Sequence, residues 1–522
     1  MIIINSAAYV IPEFCNEFGL IPPCFLPIAN NKLLIYQVET LRKQFSLEQE
    51  IILSLPQDYE LSINEANLIK SLAIRPIFVP KGITLGMALL YVLNTVGYSE
   101  CENLHLLHGD TLIEELPQEK NIIALAKPQD DYAWEYEESS KNKLIWCGYF
   151  SFTSARSFVR ALATTQGNFT ESVHLYIKEM KGIVFKEVEN WYDLGHVNTY
   201  FRSRSAITTQ RAFNSLKIKD GVVWKTGNPS IKIEAEAAWF LAIPSSLRRF
   251  TPQMIQVGKN KDNNSFYGTE YLPYLPLNEI FVHGKNSAIF WENIVNLIST
   301  YMKESRCCFK NETNTLEKIY LDSVSIYKDK TYQRLDYLVK QKSIDLDKLT
   351  KYDSITLPSI RDITEECVST TLNLPVVPAV VHGDLCFSNI MYDSRMNVIK
   401  VIDPRGLNNK QELTIYGNQT YDLAKLCHSL IGLYDFIIAD EFELIKSENV
   451  GYKLIFNVDS RIEEIQEIFL SKSMLPEIAN GDVIAPTILL FLSMIPLHFD
   501  NPARQEAMLA NALRLYSDWK AI

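Results

Sequence analysis

The 522-residue chain is 47% hydrophobic and 22% charged, with a formal net charge of −11. That is enough chain for two or three well-cored domains. Its acidic balance excludes a broad nucleic-acid-binding surface, which needs a basic stripe, and is compatible with a small cationic partner.

The opening MIIINSAAYVI has no basic residue ahead of its apolar run, so it reads as a first strand and not as a secretion signal. Short β-branched runs then alternate with helical patterns: Ile2–Ile4, Leu33–Phe45, Glu50–Leu55, Asn64–Ala73, Arg75–Val79, Ala88–Val96 and Leu104–His108. This rhythm predicts a mixed, mostly parallel sheet covered by helices. Near Asn214 the pattern changes. LKIKDGVVWKTG reads as a hairpin turning at Asp220-Gly221, Ile233–Ile243 as a helix, and Met254–Val257 and Phe266–Leu272 as further strands. From about Trp291 the chain reads as largely helical. A boundary between Ser203 and Phe213 divides it into residues 1–207, of α/β type, and residues 208–522. The second part is two-lobed, with a small sheet-bearing lobe to about 285 and a helical lobe after it. The apolar stretch Ile488–Phe499, broken by Pro496, is shorter than the ~20 residues a membrane span needs. Nine cysteines without a CxxC pair read as reduced thiols. The expectation is a soluble, cytoplasmic protein without a transmembrane segment; oligomeric state is not legible.

The strongest chemical signal is VVHGDLCFSNIMYD, Val380 to Asp393, followed by VIKVIDPRG, Val398 to Gly406. An apolar strand, Val377–Val381, leads into His382-Gly383-Asp384, where the Asp384 carboxylate can orient an acceptor hydroxyl and take its proton. Five residues later Asn389 offers a neutral oxygen ligand. A second apolar strand, Val398–Ile402, ends in Asp403, whose hard oxygens suit magnesium. The separation of these two strands reads as that of a hairpin, so that Asn389 and Asp403 face one ion. The remaining histidines have no metal-ligand spacing, and no zinc is expected.

This pattern resembles the aminoglycoside phosphotransferase and choline kinase superfamily, whose HGDxxxxN loop and following Asp it matches residue by residue, over roughly Phe213 to Ile522. The resemblance implies a protein-kinase-like fold using ATP and Mg²⁺, with Asp384 as catalytic base and Asn389 and Asp403 as metal ligands. It implies Lys225 as the phosphate-contacting lysine and Glu236 as its partner, with Glu234 a nearby rival. Thr269 to Leu272 falls where the family has its hinge, which would set Glu270, Tyr271 and Leu272 along adenine. Pro404-Arg405-Gly406 follows the metal Asp, and Arg405 is a candidate phosphate or substrate contact. Asp422, in YDLAKL, stands at a helix start, where it braces the catalytic loop or caps the helix.

The opening SAAYVIPEFCNEFGLIPPCFLPIANNKLLIYQVETL resembles the start of a sugar-phosphate nucleotidyltransferase, a GT-A-type fold that usually opens LAAGxGxRLxPLTxxxPKxLLPI. Tyr9 and Ile11 replace the two glycines that let backbone wrap a triphosphate; Glu13 and Pro23 replace its arginine and lysine. Two acids fit better. Asp110 ends the apolar strand in LHLLHGDTLI, and Asp193 lies in NWYDLGH; the resemblance implies that both bind metal beside a nucleotide, CTP, UTP or a nucleotide sugar.

Together these patterns point to a kinase acting on a hydroxyl of a small molecule, an amino alcohol, polyol or sugar, in bacterial capsule or surface-polysaccharide precursor synthesis. Three other readings stay open: a bifunctional kinase and nucleotidyltransferase, a sugar-transferring first domain, and a non-catalytic scaffold. For the acceptor, Glu365, Glu366 and Asp500 with nearby aromatics would attract an amine, or are solvated helix residues.

Overall fold

Strands that are apolar at every position must be covered on both faces, and Ile2–Asn5, Ile51–Pro56 and Ile122–Ala126 are buried along their whole length. In the computed structural model, which describes residues 1–46, 49–99, 103–137, 143–180, 182–207, 214–227, 229–261, 263–310, 315–342 and 345–521, they belong to one seven-stranded sheet. Its order is Val184–Glu187, Ile122–Ala126, Ile145–Phe152, Leu104–His108, Ile2–Asn5, Ile51–Pro56, Ile74–Val79. Four of its six pairings are parallel; Ile145–Phe152 runs antiparallel to both neighbours. Alternation along the first strand serves two cores: Ile2 and Ile4 join Phe25, Leu34 and Leu41, whereas Ile3 faces Leu89, Leu93 and Phe158.

The chain divides into two compact units, Met1–Ile207 with His283–Lys285, and Thr208–Val282 with Asn286–Ile522. Residues 208–213, on which part of the expected boundary falls, lie outside the described residues.

The second unit begins with the hairpin Asn214–Lys219 and Val222–Gly227. Both turn residues, Asp220 (φ 52°) and Gly221 (φ 73°), have the positive φ that a tight two-residue hairpin turn demands. Ser265–Glu270 and Met254–Lys259 complete a four-stranded antiparallel sheet, against which the helix Ser230–Ala242 packs. The rest is built around the helices Ile360–Leu372, Ile484–Met494 and Pro502–Ala521, whose apolar faces share one core.

Three expectations are corrected here. The helical lobe also holds a four-stranded sheet, Ile355–Ser359, Leu349–Tyr352, Gly451–Ile455 and Glu443–Ser447. Moreover, the strand before His382-Gly383-Asp384, Pro378–Val380, pairs with Tyr416–Asn418 and not with the strand before Asp403. The hairpin is made instead by Ile390–Asp393 and Val398–Val401. The apolar stretch near the C-terminus is also longer than its sequence suggested, because a helical turn at Asn480–Val483 joins it. Asn480–His498 has the length and composition to cross a membrane, yet 67% of it is buried inside the protein, as a core helix is. Every cysteine among the described residues is free.

Candidate active site

The hairpin Ile390–Asp393 and Val398–Val401 carries Asn389 on one side of its start and Asp403 just beyond its end. Ile402 N–H donates to the Asn389 carbonyl at 3.0 Å, which keeps the two residues abreast. Asn389 is buried, and its Nδ2 donates to the Asp384 carbonyl at 2.9 Å and to Asp384 Oδ2 at 3.2 Å. Asp384, Asn389 and Asp403 are thus brought together on one loop system.

Lys225 reaches the same place from the small lobe. Its Nζ lies 2.6 Å from Glu236 Oε2 and 2.9 Å from Asp403 Oδ1, and Tyr267 O–H donates to the same Glu236 oxygen at 2.7 Å. Burial alone would depress the Lys225 amine, but Asp403 and Glu236 together hold its pKa above the ordinary value. The rival Glu234 is occupied elsewhere, accepting from Ser265 O–H at 2.6 Å and pairing with Lys259 at 3.6 Å. Helix geometry separates the two glutamates: residues two apart on a helix face different directions. Gly406 (φ 62°) permits the close approach, since a Cβ there would collide with the Ala235 carbonyl beside Glu236.

The catalytic loop is held from behind. Asp422, buried in the first turn of the helix Thr420–Leu430, accepts the His382 N–H at 2.9 Å and the Gly383 N–H at 2.8 Å. The residue at its helix N-cap position is Gln419. Burial raises the Asp422 pKa to about 7, against the pull of those two N–H groups. Burial also depresses His382. Its neutral ring donates Nε2–H to the Ile402 carbonyl at 2.8 Å and accepts the Asp384 N–H at Nδ1, 3.3 Å away. His382 therefore orients the loop.

The donor set fits magnesium. Asn389 uses its NH₂ end on Asp384, which leaves its carbonyl oxygen for a cation, and Asp403 adds carboxylate oxygens of the same hard type. Asp403 adopts φ 58°, a left-handed conformation that aspartate tolerates better than most residues.

In the expected hinge segment Glu270 N–H donates to the Gln253 carbonyl at 3.0 Å and Tyr271 N–H to the Gly221 carbonyl at 2.8 Å, so both amides hold the sheet edge. Leu272 N–H has no hydrogen-bond partner among the described residues. Glu366, one of the acids considered for an amine, accepts from Tyr516 O–H at 2.6 Å and also pairs with Lys520.

Sequence reasoning passed over Lys425. It lies one turn after Asp422, is buried, and places Nζ 2.9 Å from Asp384 Oδ1. Burial opposes its charge, but the Asp384 carboxylate outweighs that and raises its pKa. The sequence carried no signal for it: every residue of Thr420–Leu430 but Tyr421 is buried, so a lysine there needs an acid partner, but that burial is visible only in the packed structure.

In the first unit the antiparallel ladder of Thr111–Ile113 with Trp191–Asp193 pairs Thr111 with Asp193, which draws Asp110 and Asp193 together. Asp193 accepts from His196 Nδ1 at 2.8 Å, from Gly195 N–H at 3.2 Å and from Thr199 O–H. Burial, then the neighbouring Asp193, push Asp110 up to about 6. Tyr9 donates its hydroxyl to Asp58 at 2.9 Å, and Val10 N–H donates to Ile21 O at 3.0 Å. The helix Pro12–Phe18 follows. This segment is thus tied down by the Tyr9 side chain and closed by a backbone bond across the helix. Among the described residues no three His, Cys, Asp or Glu side chains gather as a metal cage.

No family model matches the chain, and no curated protein matches it. Solved structures similar to it include an aminoglycoside phosphotransferase in complex with GDP and kanamycin, at 14% identity over 60% of this chain and 92% of that one, TM-score 0.34. A choline kinase from Streptococcus pneumoniae is 9% identical over 60% and 92%, TM-score 0.34. The inositol-1-phosphate CTP transferase from T. maritima is 14% identical over 40% of this chain and 96% of its own, TM-score 0.30. Likeness at this level leaves the chemistry to the residues themselves.

Proposed function

We propose that the second unit transfers the γ-phosphoryl group of ATP to a hydroxyl of a small molecule. The observation that carries this reading is the convergence of Lys225 on both Glu236 (2.6 Å) and Asp403 (2.9 Å), beside an Asp384 that Asn389 and Lys425 hold. A scaffold has no use for two buried lysines fixed on two such acids, since buried charge is costly unless paired and well bonded. In the forward step the acceptor oxygen bonds to the γ-phosphorus as the bridging β–γ oxygen leaves with ADP, and the acceptor proton passes to Asp384. Lys425, with Nζ 2.9 Å from Asp384 Oδ1, aims the carboxylate, which suits a reaction governed by positioning more than by proton abstraction. Lys225 contacts phosphate, and the Leu272 amide is the hinge donor for adenine. Magnesium bound by Asn389 and Asp403 would neutralise the phosphate oxygens.

The first unit is read as a nucleotide or nucleotide-sugar site around Asp110 and Asp193, and the pairing of two such units fits a cytoplasmic activation step in surface-polysaccharide assembly. Its altered phosphate loop argues against pyrophosphate-releasing chemistry. The bifunctional reading requires pyrophosphate release with CTP or UTP and a phosphorylated acceptor. Magnesium-dependent ATP turnover across a panel of small hydroxyl compounds tests the main reading. Turnover in the wild type and its loss in Asp384→Asn are expected; equal background turnover in both would leave the scaffold.

A further inference from the structure

A cleft opens beside the His382–Asp384 loop, and its lining includes Asp322, Tyr327, Gly383, Arg405, Asn418 and Tyr421. Gly383 directly precedes Asp384, and Arg405 lies across it: a Cβ at Gly383 would stand 2.7 Å from Arg405 Cβ. Arg405 N–H donates to the His382 carbonyl at 2.9 Å, which fixes the arginine against the loop. Its guanidinium lies 5.9 Å from the centre of the Tyr421 ring and forms no ion pair among the described residues.

Lys330, three residues beyond Tyr327, is outside the cleft lining but within electrostatic reach of Arg405. Lys330 forms no ion pair among the described residues, and the charges that act on it are those of Arg405, Arg334, Lys425 and Lys232. Burial, followed by those like charges, pushes Lys330 down to about 7. Arg334 donates to the Ser493 carbonyl at 3.0 Å. The acid on the cleft lining, Asp322, already accepts the Asn409 N–H at 2.6 Å.

A second, independent observation points to a ligand. Tyr327 is 3% exposed and lines the cleft, and its hydroxyl has no hydrogen-bond partner among the described residues. A buried hydroxyl left unbonded costs about 1–3 kcal/mol. Tyr327 sits in a π-helical turn, Ser325–Asp329, between the helices Thr315–Val324 and Lys330–Lys342. Such turns are rare and frequently found at functional sites.

We propose that this cleft holds the acceptor and that the acceptor carries an anionic group, a phosphate or a carboxylate, bound by Arg405, Lys330 and the Tyr327 hydroxyl while its own hydroxyl meets Asp384. The inference rests on the phosphotransfer reading above and names the substrate class of that site. It reverses what the net charge of −11 made compatible, a cationic acceptor. Net charge describes the whole surface, whereas recognition depends on the few groups that face the ligand. An arginine fork and a lysine suit a phosphate or carboxylate, and repel an ammonium group.

The test is calorimetric binding to the full-length protein in the presence of magnesium and AMP-PNP. Two matched sets serve as probes: glucose 6-phosphate, glucuronate, glucose and glucosamine; and glycerol 3-phosphate, glycerate, glycerol and ethanolamine. In at least one set an anionic member is expected to bind about tenfold or more tighter than its neutral and cationic counterparts. The phosphate and carboxylate members decide which anion is taken. Arg405→Gln and Lys330→Gln should each remove most of that preference, and Tyr327→Phe, which keeps the ring, should weaken anion binding by a smaller factor. Equal or tighter binding of the neutral or cationic members, or no binding by any anionic member, would overturn the inference alone. Failure of AMP-PNP itself to bind would overturn the phosphotransfer reading and this inference with it.

Discussion

Both units bring acidic side chains together at strand ends, but they resolve the charge in opposite ways. In the second unit two of the carboxylates have a lysine: Asp403 has Lys225 at 2.9 Å and Asp384 has Lys425 at 2.9 Å. In the first unit Asp193 has only His196 and hydrogen-bond donors, and Asp110, buried against it, is pushed up to about 6. Carboxylates paired with fixed cations suit the placing of a hydroxyl and a nucleotide phosphate that we propose for this unit. A buried acid pair without a fixed cation is a weaker claim to chemistry, and the closed turn at Val10 and Ile21 agrees with that.

Substitutions can break this contrast. The largest effect belongs to Asp384→Asn, expected to lower magnesium-dependent turnover about a thousandfold with thermal stability little changed. Next is Lys225→Ala. It leaves Glu236 and Asp403 facing each other without a cation, and should cost about 3 kcal/mol in denaturant unfolding of the second unit, with a turnover loss of about a hundredfold. A change that altered neither quantity would remove Lys225 from the site.

A smaller effect is expected at Asp422. Asp422→Ala strands the N–H groups of His382 and Gly383 and should cost about 2 kcal/mol. Its pH dependence has a definite sign. The folded pKa, about 7, lies above the ordinary carboxyl value of 3.8, so the folded state binds the extra proton. The ionisation-linked part of the wild-type advantage over Asp422→Ala is fully present below about pH 4 and shrinks as pH rises through about 7. A melting-temperature difference that grew with pH over that window would contradict the assignment.

The smallest effect should be Asp110→Asn. Removing a charge that burial and Asp193 already disfavour is expected to change stability by less than about 1 kcal/mol. A large loss would show that the acid pair in the first unit is held in place as firmly as the acids of the second.

How much of this was legible in the sequence depended on distance along the chain. His382 to Asn389 is one contiguous loop, so its spacing showed the chemistry directly. Lys225 and Glu236 lie eleven residues apart, and the strand-to-helix pattern brought them within reach while leaving Glu234 as a rival until helix faces were known. Lys425 acts through a helix whose lack of an exposed face is visible only once packing is known. Tyr327, Lys330 and Arg405 come from segments some 75 residues apart, and no local pattern joins them. The extra sheet in the helical lobe was missed for the same reason: Tyr352 pairs with Tyr452, across a long separation, and its strands carry exposed residues such as Leu349 and Ile355 that do not alternate cleanly. That the amides of Glu270 and Tyr271 are taken up by the sheet edge was not legible either, because the sequence does not reveal which sheet-edge groups have partners.

The central claim is that the second unit moves the terminal phosphoryl group of ATP. The most direct measurement follows γ-labelled phosphate in the full-length protein with magnesium and the anionic compounds named above. Label on an acceptor hydroxyl, released as a phosphate ester by the wild type and absent with Asp384→Asn, is the predicted result. Label that remains in ATP, or appears only as free phosphate at the same rate in both proteins, would contradict it.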